Sequence, residues 1–274
     1  MRSWKQYRRV LIPSGDIREP RECGDSEVDT LLRSTGSLMA RWHGGWDLEC
    51  PTNFWFVVID RDVPIDRLSG NTRSKIRRAL KRYSIEKINN PLDRIDELFS
   101  VYLAAYDHYP GNERPVDEAD YSNAIGERAE SGHYEYVGLF SKETGGLVGY
   151  SENEIDGDYC FYESIRMGRD VMRSYGMYAL IYEMNREYLG ERGFTLISDG
   201  ARSVGHDTGM HEFLMQKFGF RKAYVDLKVH YTPALWPIVK MLYVLYPLLE
   251  RTRASLFNPL LVLLRHEHLR RGHD

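Results

Sequence analysis

Apolar residues recur at three- and four-residue spacing in three segments of the chain, 91–106, 174–189 and 208–218. This spacing places the apolar side chains on one face of a helix, so each segment predicts an amphipathic helix. Two glycines, Gly190 and Gly193, follow the second segment and predict its end.

Residues 71–83 predict a shorter helix with a strongly basic character and with Asn71 or Thr72 as its expected cap. Its basic residues are Arg73, Lys75, Arg77, Arg78, Lys81 and Arg82. We interpret them as a solvated face whose charge is balanced by nearby acids such as Glu86 and Asp93. The alternative is a surface for phospholipid head groups or for RNA. Because no aromatic residues are interleaved, we expect no nucleic-acid partner unless it is a charged tRNA.

Alternating residues predict three consecutive strands at 134–141, 147–155 and 159–167. The turns between them contain Gly145-Gly146 and Asp156-Gly157, and short turns of this kind join antiparallel strands. These segments therefore predict an antiparallel meander. Shorter strands are predicted at 53–60, 84–88, 194–198 and 222–231.

The later elements follow the order β-β-β-α-β-α-β, which predicts an α/β fold of the α+β type. We expect a mixed, mostly antiparallel sheet flanked by helices. This domain is predicted to cover residues 71–232, after an N-terminal extension with partial α/β elements over 1–70. Residues 233–274 are predicted to form an apolar and basic helical tail.

Composition narrows the class of protein. The chain has 274 residues and a formal net charge of -3, which gives no bulk attraction to nucleic acid or anionic lipid. Its three cysteines, Cys23, Cys50 and Cys160, predict neither a disulfide framework nor a zinc site. Residues 1–20 lack the apolar region of a secretory signal, and no apolar run reaches the roughly 20 residues of a membrane span. We therefore expect a cytoplasmic protein.

Two short stretches carry a family resemblance. Residues 173–176 (Arg-Ser-Tyr-Gly) follow the meander, and residues 216–220 (Gln-Lys-Phe-Gly-Phe) end the last predicted helix. The first resembles half of the pyrophosphate loop of the GNAT acyltransferase superfamily, and the second is similar to that family's helix end. Over residues 71–231 the chain also resembles the FemAB-like branch, which has a basic segment, a helix, the meander and a lysine placed like Lys217.

The resemblance implies a GNAT-like N-acyltransferase. FemAB-like members transfer aminoacyl or acyl groups to amines of cell-envelope precursors. The resemblance thus implies acetyl-CoA, another acyl-CoA or aminoacyl-tRNA as co-substrate, no permanently bound cofactor, and a small-molecule or envelope-precursor amine as acceptor. Three residues depart from the family pattern: Tyr178 stands for the loop's second Gly or Ala, Met215 for a Tyr general acid, and Thr208 for an Asn.

The start of the 174–189 helix is the candidate donor-binding site. A helix N-terminus presents unpaired N–H groups and positive dipole charge, which suit a pyrophosphate. The candidate residues are Arg169, Arg173, Ser174, Tyr175 and Gly176. The alternative is an ordinary helix start with solvated arginines.

Glu163 is the first candidate catalytic residue because it interrupts the apolar strand 159–167. Desolvation raises the pKa of a carboxyl group in such a setting, which suits a general base near pH 7. The alternative is a Glu163 on the wet face, paired with an arginine. Tyr162, on the opposite face by strand alternation, is a second candidate. His206, in a later loop, is a third candidate, as a base or as a group that orients substrate.

The loop after the short strand 194–198 is the candidate substrate-binding region, because strand ends line the ligand crevice of open α/β sheets. Asp199, Arg202 and Asp207 are its candidate residues. The alternative is a polar loop in which Asp207 caps the next helix. His206, Asp207 and His211 match no standard ligand spacing, so no metal is expected.

The C-terminal segment is unusually apolar. Residues 235–249 contain a single lysine and two prolines, and residues 257–264 are apolar again. We interpret this segment as packing onto the domain or onto a second subunit. The alternative is a peripheral contact of residues 235–271 with the inner face of a membrane, with basic residues at the head groups.

Two functions remain open from the sequence. The first is N-acyltransfer to an amine, which Glu163 and the 173–176 loop favour. The alternative is a non-catalytic GNAT-like binding module associated with a membrane or with envelope or polysaccharide assembly, which Met215 favours.

Overall fold

The computed structural model describes residues 4–7, 9–106, 115–204, 209–251 and 258–272. The chain divides into two compact units. The first unit comprises Met1–Val57, Ala201–Met210 and Lys222–Asp274, and the second comprises Val58–Gly200 and His211–Arg221. Neither unit is a continuous stretch, whereas the predicted division at residues 70 and 232 assumed continuous segments.

The strands are numbered in chain order. They are β1 (Trp4–Tyr7), β2 (Val10–Pro13), β3 (Met39–His43), β4 (Phe54–Ile59), β5 (Tyr83–Ile88), β6 (Tyr134–Ser141), β7 (Leu147–Asp156), β8 (Tyr159–Met167), β9 (Leu196–Ala201), β10 (Arg221–Val225) and β11 (Leu227–Tyr231).

The helices are numbered in the same way. They are α1 (Asp25–Thr35), α2 (Gly70–Leu80), α3 (Ile95–Tyr106), α4 (Glu118–Ser131), α5 (Arg169–Arg173), α6 (Gly176–Asn185), α7 (Met210–Phe218), α8 (Leu235–Tyr243), α9 (Tyr246–Arg251) and α10 (Asn258–Arg270). Short 3-10 turns cover Ile65–Arg67 and Pro91–Arg94, and a π-helical turn, Arg186–Glu191, continues α6.

The first unit is built on a sheet with the strand order β1-β2-β3-β11. β2 and β3 are parallel, and the other two pairs are antiparallel. Helix α1 covers one face, where the buried residues are Leu11, Val28, Leu32 and Ala40. The C-terminal helices cover a second core, whose buried residues are Met39, Tyr231, Val239, Tyr246 and Leu264. The predicted apolar helical tail is therefore confirmed, and it forms part of this unit's core.

The larger sheet has the strand order β10-β4-β9-β8-β7-β6-β5, and its strands β5 to β8 belong entirely to the second unit. Those four strands pair antiparallel, whereas β8 and β9 are parallel. Helices α3 and α4 cover one face around a buried aromatic core that includes Tyr121, Tyr136 and Tyr150. Ser151 and Asn153 alternate with Tyr150 along β7 and face α6 on the other side of the sheet.

Several boundaries correct the sequence analysis. The predicted strand 222–231 is two strands, β10 and β11, which lie in different sheets. The predicted helix 174–189 begins at Gly176, after a separate short helix. The cap of α2 is Ser69, whose hydroxyl accepts a hydrogen bond from the backbone N–H of Thr72. Among the described residues, no helix has both the length and the apolar character that crossing a bilayer requires.

Candidate functional site

β8 and β9 run in parallel but pair over only three positions. Tyr159, Cys160 and Phe161 pair with Leu196, Ile197 and Ser198. β8 continues to Met167 and β9 to Ala201 beyond this ladder. Two carboxylates follow the last pair closely: Asp199 is the next residue on β9, and Glu163 is two residues further on β8. The end of the ladder thus places acidic side chains on strand ends that are no longer tied to each other.

Glu163 lies in a β-bulge. In the pairing of β8 with β7, Ser164 is opposite Glu152 and Tyr162 is opposite Asn153, so Glu163 is the extra residue. A bulge re-aims the side chains around it and is common beside active sites. Glu163 is half-buried, as a carboxylate at the edge of a cleft would be.

A buried acid lies close to Glu163. Glu152 is 3% exposed and forms an ion pair with Arg128. Burial raises the pKa of Glu152, the positive charges of Arg128 and Arg166 oppose that rise, and the negative charge of Glu163 adds to it. The surroundings of Glu163 are therefore polar and charged, on the sheet face that α3 and α4 cover.

Tyr162 is buried and donates a hydrogen bond to the side-chain oxygen of Asn185 over 2.8 Å. Burial raises the pKa of Tyr162 well above its ordinary value. This contact ties β8 to the end of α6, and the catalytic role of Tyr162 stays a prediction.

Asp199 and His211 form a pair at the end of β9. The Nε2 atom of His211 lies 3.5 Å from a carboxylate oxygen of Asp199 and 3.3 Å from its backbone oxygen. Since a carbonyl oxygen only accepts, Nε2 carries a proton. The Asp199 side chain is 11% exposed, and burial raises the pKa of Asp199 to about 8. The Asp199 carboxyl group can therefore gain or lose a proton near neutral pH.

His211 was not predicted as a site residue. In the sequence, His211 was considered only as a metal ligand, and its spacing from His206 and Asp207 matches no standard metal site. Nothing in the local sequence distinguishes a histidine in the first turn of a helix. Its contact with Asp199 arises when α7 returns to the end of β9. One signal could have indicated this contact: a histidine in the first turn of a helix that follows a strand and a loop.

The start of α6 is a tightly packed turn. Tyr175 adopts a left-handed conformation with φ 71°. A Cβ atom on Gly176 would lie 2.5 Å from Val171 Cγ1 and 3.1 Å from the Val171 backbone oxygen, so only glycine fits there. Ser174 shares a 2.5 Å hydrogen bond with the hydroxyl of Tyr83. Together these contacts fix the backbone N–H groups at the first turn of α6.

The positive charge beside this turn comes from α2. Lys75 Nζ donates to the Tyr178 hydroxyl over 3.1 Å and lies 5.5 Å from the Tyr175 ring centroid. Arg78 stacks on the same Tyr175 ring at 4.9 Å. By contrast, Arg169 is exposed, and Arg173 is exposed with a loose 3.8 Å ion pair to Asp170. The basic helix and the 173–176 loop are about 100 residues apart in sequence, and they meet in the structure.

Tyr178 connects the start of α6 to α7. Its ring lies 5.0 Å from the Phe213 ring and 6.0 Å from the Phe218 ring. Phe213 lies on α7, the helix that also carries His211, so the turn at the start of α6 contacts the helix that carries His211.

Arg202, His206 and Asp207 were also predicted as site residues. Arg202 belongs to the first unit, where its Nη1 donates to the Asn53 backbone oxygen over 2.7 Å. His206 and Asp207 lie outside the described residues. The roles of these three residues stay predictions.

No family model matches the sequence, and no curated protein matches it. Solved structures are nevertheless similar in fold. The C-terminal domain of a protein assigned as lysylphosphatidylglycerol synthetase, from Agrobacterium fabrum, is 14% identical over 88% of this chain and 83% of that chain, with a TM-score of 0.52. FemX is 12% identical over 87% of this chain and 85% of its own, also with a TM-score of 0.52. The chain thus has a GNAT-like, FemAB-like fold, as its sequence predicted.

Proposed function

We propose that the chain is an N-acyltransferase that moves an acyl or aminoacyl group onto an amine. The observation that carries this proposal is the Asp199–His211 pair beyond the β8–β9 ladder. An attacking amine must lose a proton, and the most effective base has a pKa near the working pH. A desolvated carboxyl group with a pKa of about 8, in contact with a histidine, suits that task.

In this proposal His211 and Asp199 take the proton, and Glu163 is the second candidate base. The donor's phosphates lie at the start of α6, where fixed N–H groups and the cations of Lys75 and Arg78 favour an anion. Either acyl-CoA or aminoacyl-tRNA presents phosphate to such a surface. We place the reaction in the cytoplasm, with an amine on a small molecule or an envelope precursor as acceptor.

Donor binding tests the phosphate surface. Acetyl-CoA, CoA and charged tRNA are added separately, and the shift in melting temperature is measured. Ligand at about 100 times its dissociation constant adds roughly 2.7 kcal/mol to stability. The shift should be lost in Lys75→Met and Arg78→Met and kept in Arg77→Met, which removes an exposed cation of the same helix. A wild-type protein that responds to none of these donors argues against the transferase.

Turnover tests the proton-transfer pair. Transfer from the donor that binds is followed with a panel of primary amines. Asp199→Asn and His211→Gln should each lower turnover by about 10²–10⁴-fold while the donor-induced thermal shift stays unchanged. Glu163→Gln is measured beside them. A larger loss of turnover in Glu163→Gln would assign the base to Glu163 on β8 instead of Asp199 on β9.

A second candidate function is the non-catalytic module on a membrane, and one observation favours its membrane contact. Helices α8 and α9 and the turn between them expose a row of large apolar side chains: Trp236 (38%), Ile238 (47%), Met241 (66%), Val244 (78%), Leu245 (46%) and Leu248 (63%). Arg270 stacks on Trp236 at 5.6 Å, and Arg271 stacks on Tyr243 at 4.1 Å. Apolar side chains edged by aromatic and basic groups suit a bilayer interface.

Vesicle sedimentation tests this face. We expect the protein to sediment with vesicles of phosphatidylglycerol and phosphatidylcholine, and Val244→Glu with Leu248→Glu to release it. Leu92→Glu, at an exposed leucine of the second unit, is the matched control and should still sediment. If the wild-type protein stays in the supernatant, the apolar row serves a protein contact instead of a lipid one.

A further inference from the structure

The first unit contains an arginine that no carboxylate neutralises in the described part of the chain. Arg41 lies in β3 opposite Val229 of β11. Its Nη1 atom is 3.1 Å from His266 Nε2, and its guanidinium carbon is 5.6 Å from the centroid of the Phe54 ring. Among the described residues, no acidic side chain forms an ion pair with it.

His266 cannot supply the missing negative charge. It is 4% exposed, and its Nδ1 lies 2.7 Å from the backbone oxygen of Val262, one helical turn earlier. A carbonyl oxygen only accepts, so the proton sits on Nδ1, and Nε2 accepts from Arg41. Burial and the charge of Arg41 lower the pKa of His266 to about 3. The pair therefore carries one net positive charge at physiological pH.

Since no acid pairs with Arg41 among the described residues, holding this charge there is unfavourable. Burial lowers the pKa of Arg41 to about 10, and the Tyr7 hydroxyl is the group that opposes this effect. A guanidinium has five N–H donors, and His266 takes one of them. Arg41 as a whole residue is half-buried, so solvent reaches part of it. The planar fork of its donors matches two oxygens of a carboxylate or phosphate.

The surroundings of the guanidinium are apolar. Phe54 belongs to a buried cluster, and the partly buried members of that cluster include Val204, Val229 and Leu269. Leu269 is one helical turn beyond His266, and Val229 is the register partner of Arg41. A ligand with its oxyanion on Arg41 would therefore place its remaining atoms against apolar side chains.

We propose that Arg41 and His266 form a binding site for an organic oxyanion, with the charged group on the Arg41 fork and an apolar group beside Phe54. The site lies wholly in the first unit and is independent of the transfer chemistry proposed for the second. It gives the chain a second small-molecule site, for a carboxylate or a phosphate ester.

Chemical protection of the wild-type protein tests the site without any substitution. Phenylglyoxal modifies arginine, and peptide mass spectrometry gives the rate at Arg41, with exposed Arg33 of α1 as the internal control. Benzoate and phenyl phosphate are tested at constant ionic strength. At about ten times its dissociation constant, a ligand should slow modification of Arg41 about tenfold and leave Arg33 unchanged. An Arg41 rate unaffected by both ligands overturns the proposal.

Two variants sharpen the result. Arg41→Met removes the charge at similar length and should abolish the thermal shift that the protecting ligand causes. Arg41→Lys keeps the charge without the fork and should weaken binding about tenfold or more. Protection by benzoate alone assigns a carboxylate ligand, and protection by phenyl phosphate alone assigns a phosphate ester. An Arg41→Met protein that is folded and still shows the full shift contradicts the site.

Discussion

At the end of β9, Asp199 lacks most of the hydration that an aspartate normally keeps. Its side chain is 11% exposed, and burial raises the pKa of Asp199 to about 8. A carboxyl group with such a pKa is partly protonated at physiological pH. In contact with protonated Nε2 of His211, it can hold or release a proton with little change in free energy.

The pH dependence of stability tests this environment. A native pKa of about 8 against an unfolded value of about 3.9 means that the native state binds more protons between these pH values. The stabilising contribution is fully present below about pH 4 and is lost as pH rises through about 8. Relative to Asp199→Asn, the wild-type protein should therefore lose unfolding free energy between pH 5 and pH 8.5 in urea titrations.

Asp66→Asn, at an exposed aspartate, controls for the loss of one carboxylate. If the difference in unfolding free energy between wild-type and Asp199→Asn is the same at pH 5 and pH 8.5, Asp199 is not desolvated.

Single residues also show which parts of the site could be predicted. Glu163 and Asp199 stand out in the sequence because an acid within or just after an apolar strand is uncommon. His211 does not, since its role depends on a fold that returns α7 to β9. Lys75 and Arg78 were predicted as basic, but their contacts with Tyr175 join positions about 100 residues apart.

Among the elements, α2 shows how a helix start can be misread. Ser69 precedes Gly70, and a glycine at the first helical position hides the boundary from a propensity argument. The Ser69 hydroxyl accepts from the Thr72 N–H at 3.2 Å, which satisfies one of the unpaired donors of the first turn. This cap fixes the start of the helix that carries Lys75 and Arg78.

Removing the cap should cost stability. We expect Ser69→Ala to lower the free energy of unfolding by about 1 kcal/mol, because a donor of the first turn loses its partner. Chemical denaturation measures the change. Ser74→Ala, at an exposed position inside the same helix, should have no such cost. Equal effects of the two substitutions would rule out the capping role.

The strands differ in how well the sequence specifies them. The meander was predicted within one residue at every boundary, because tight turns separate segments of clear alternation. The split between β10 and β11 was missed, since alternation continues past Asp226 with the same period. Which sheet β11 joins depends on its partner β3, about 190 residues away in the chain.

For the whole molecule, the C-terminal helices are part of a core. Val239, Tyr246 and Leu264 are buried against Met39 and Tyr231. Burying each large apolar side chain is worth about 1.5–3 kcal/mol. Losing three of them is comparable with the total stability of a domain, about 5–15 kcal/mol.

A shortened chain tests this dependence. A protein ending after Thr232 should lose hydrogen-exchange protection in β3 and β11, because Met39 and Tyr231 become uncovered. A protein ending after Arg271 should keep the protection of the full chain, since it retains α8, α9 and α10. Protected β3 amides in the shorter protein would mean that the sheet is stable without its helical cover.

The pairing of β3 with β11 also determines when the sheet of the first unit can be completed during translation. A ribosome adds about 5–20 residues per second, so β11 leaves it roughly 10–40 s after β3. Through that interval β3 of the nascent chain has an open edge, and its apolar residues are available to chaperones. The meander, whose strands are neighbours in sequence, needs no such wait. The region that is translated first is therefore completed last.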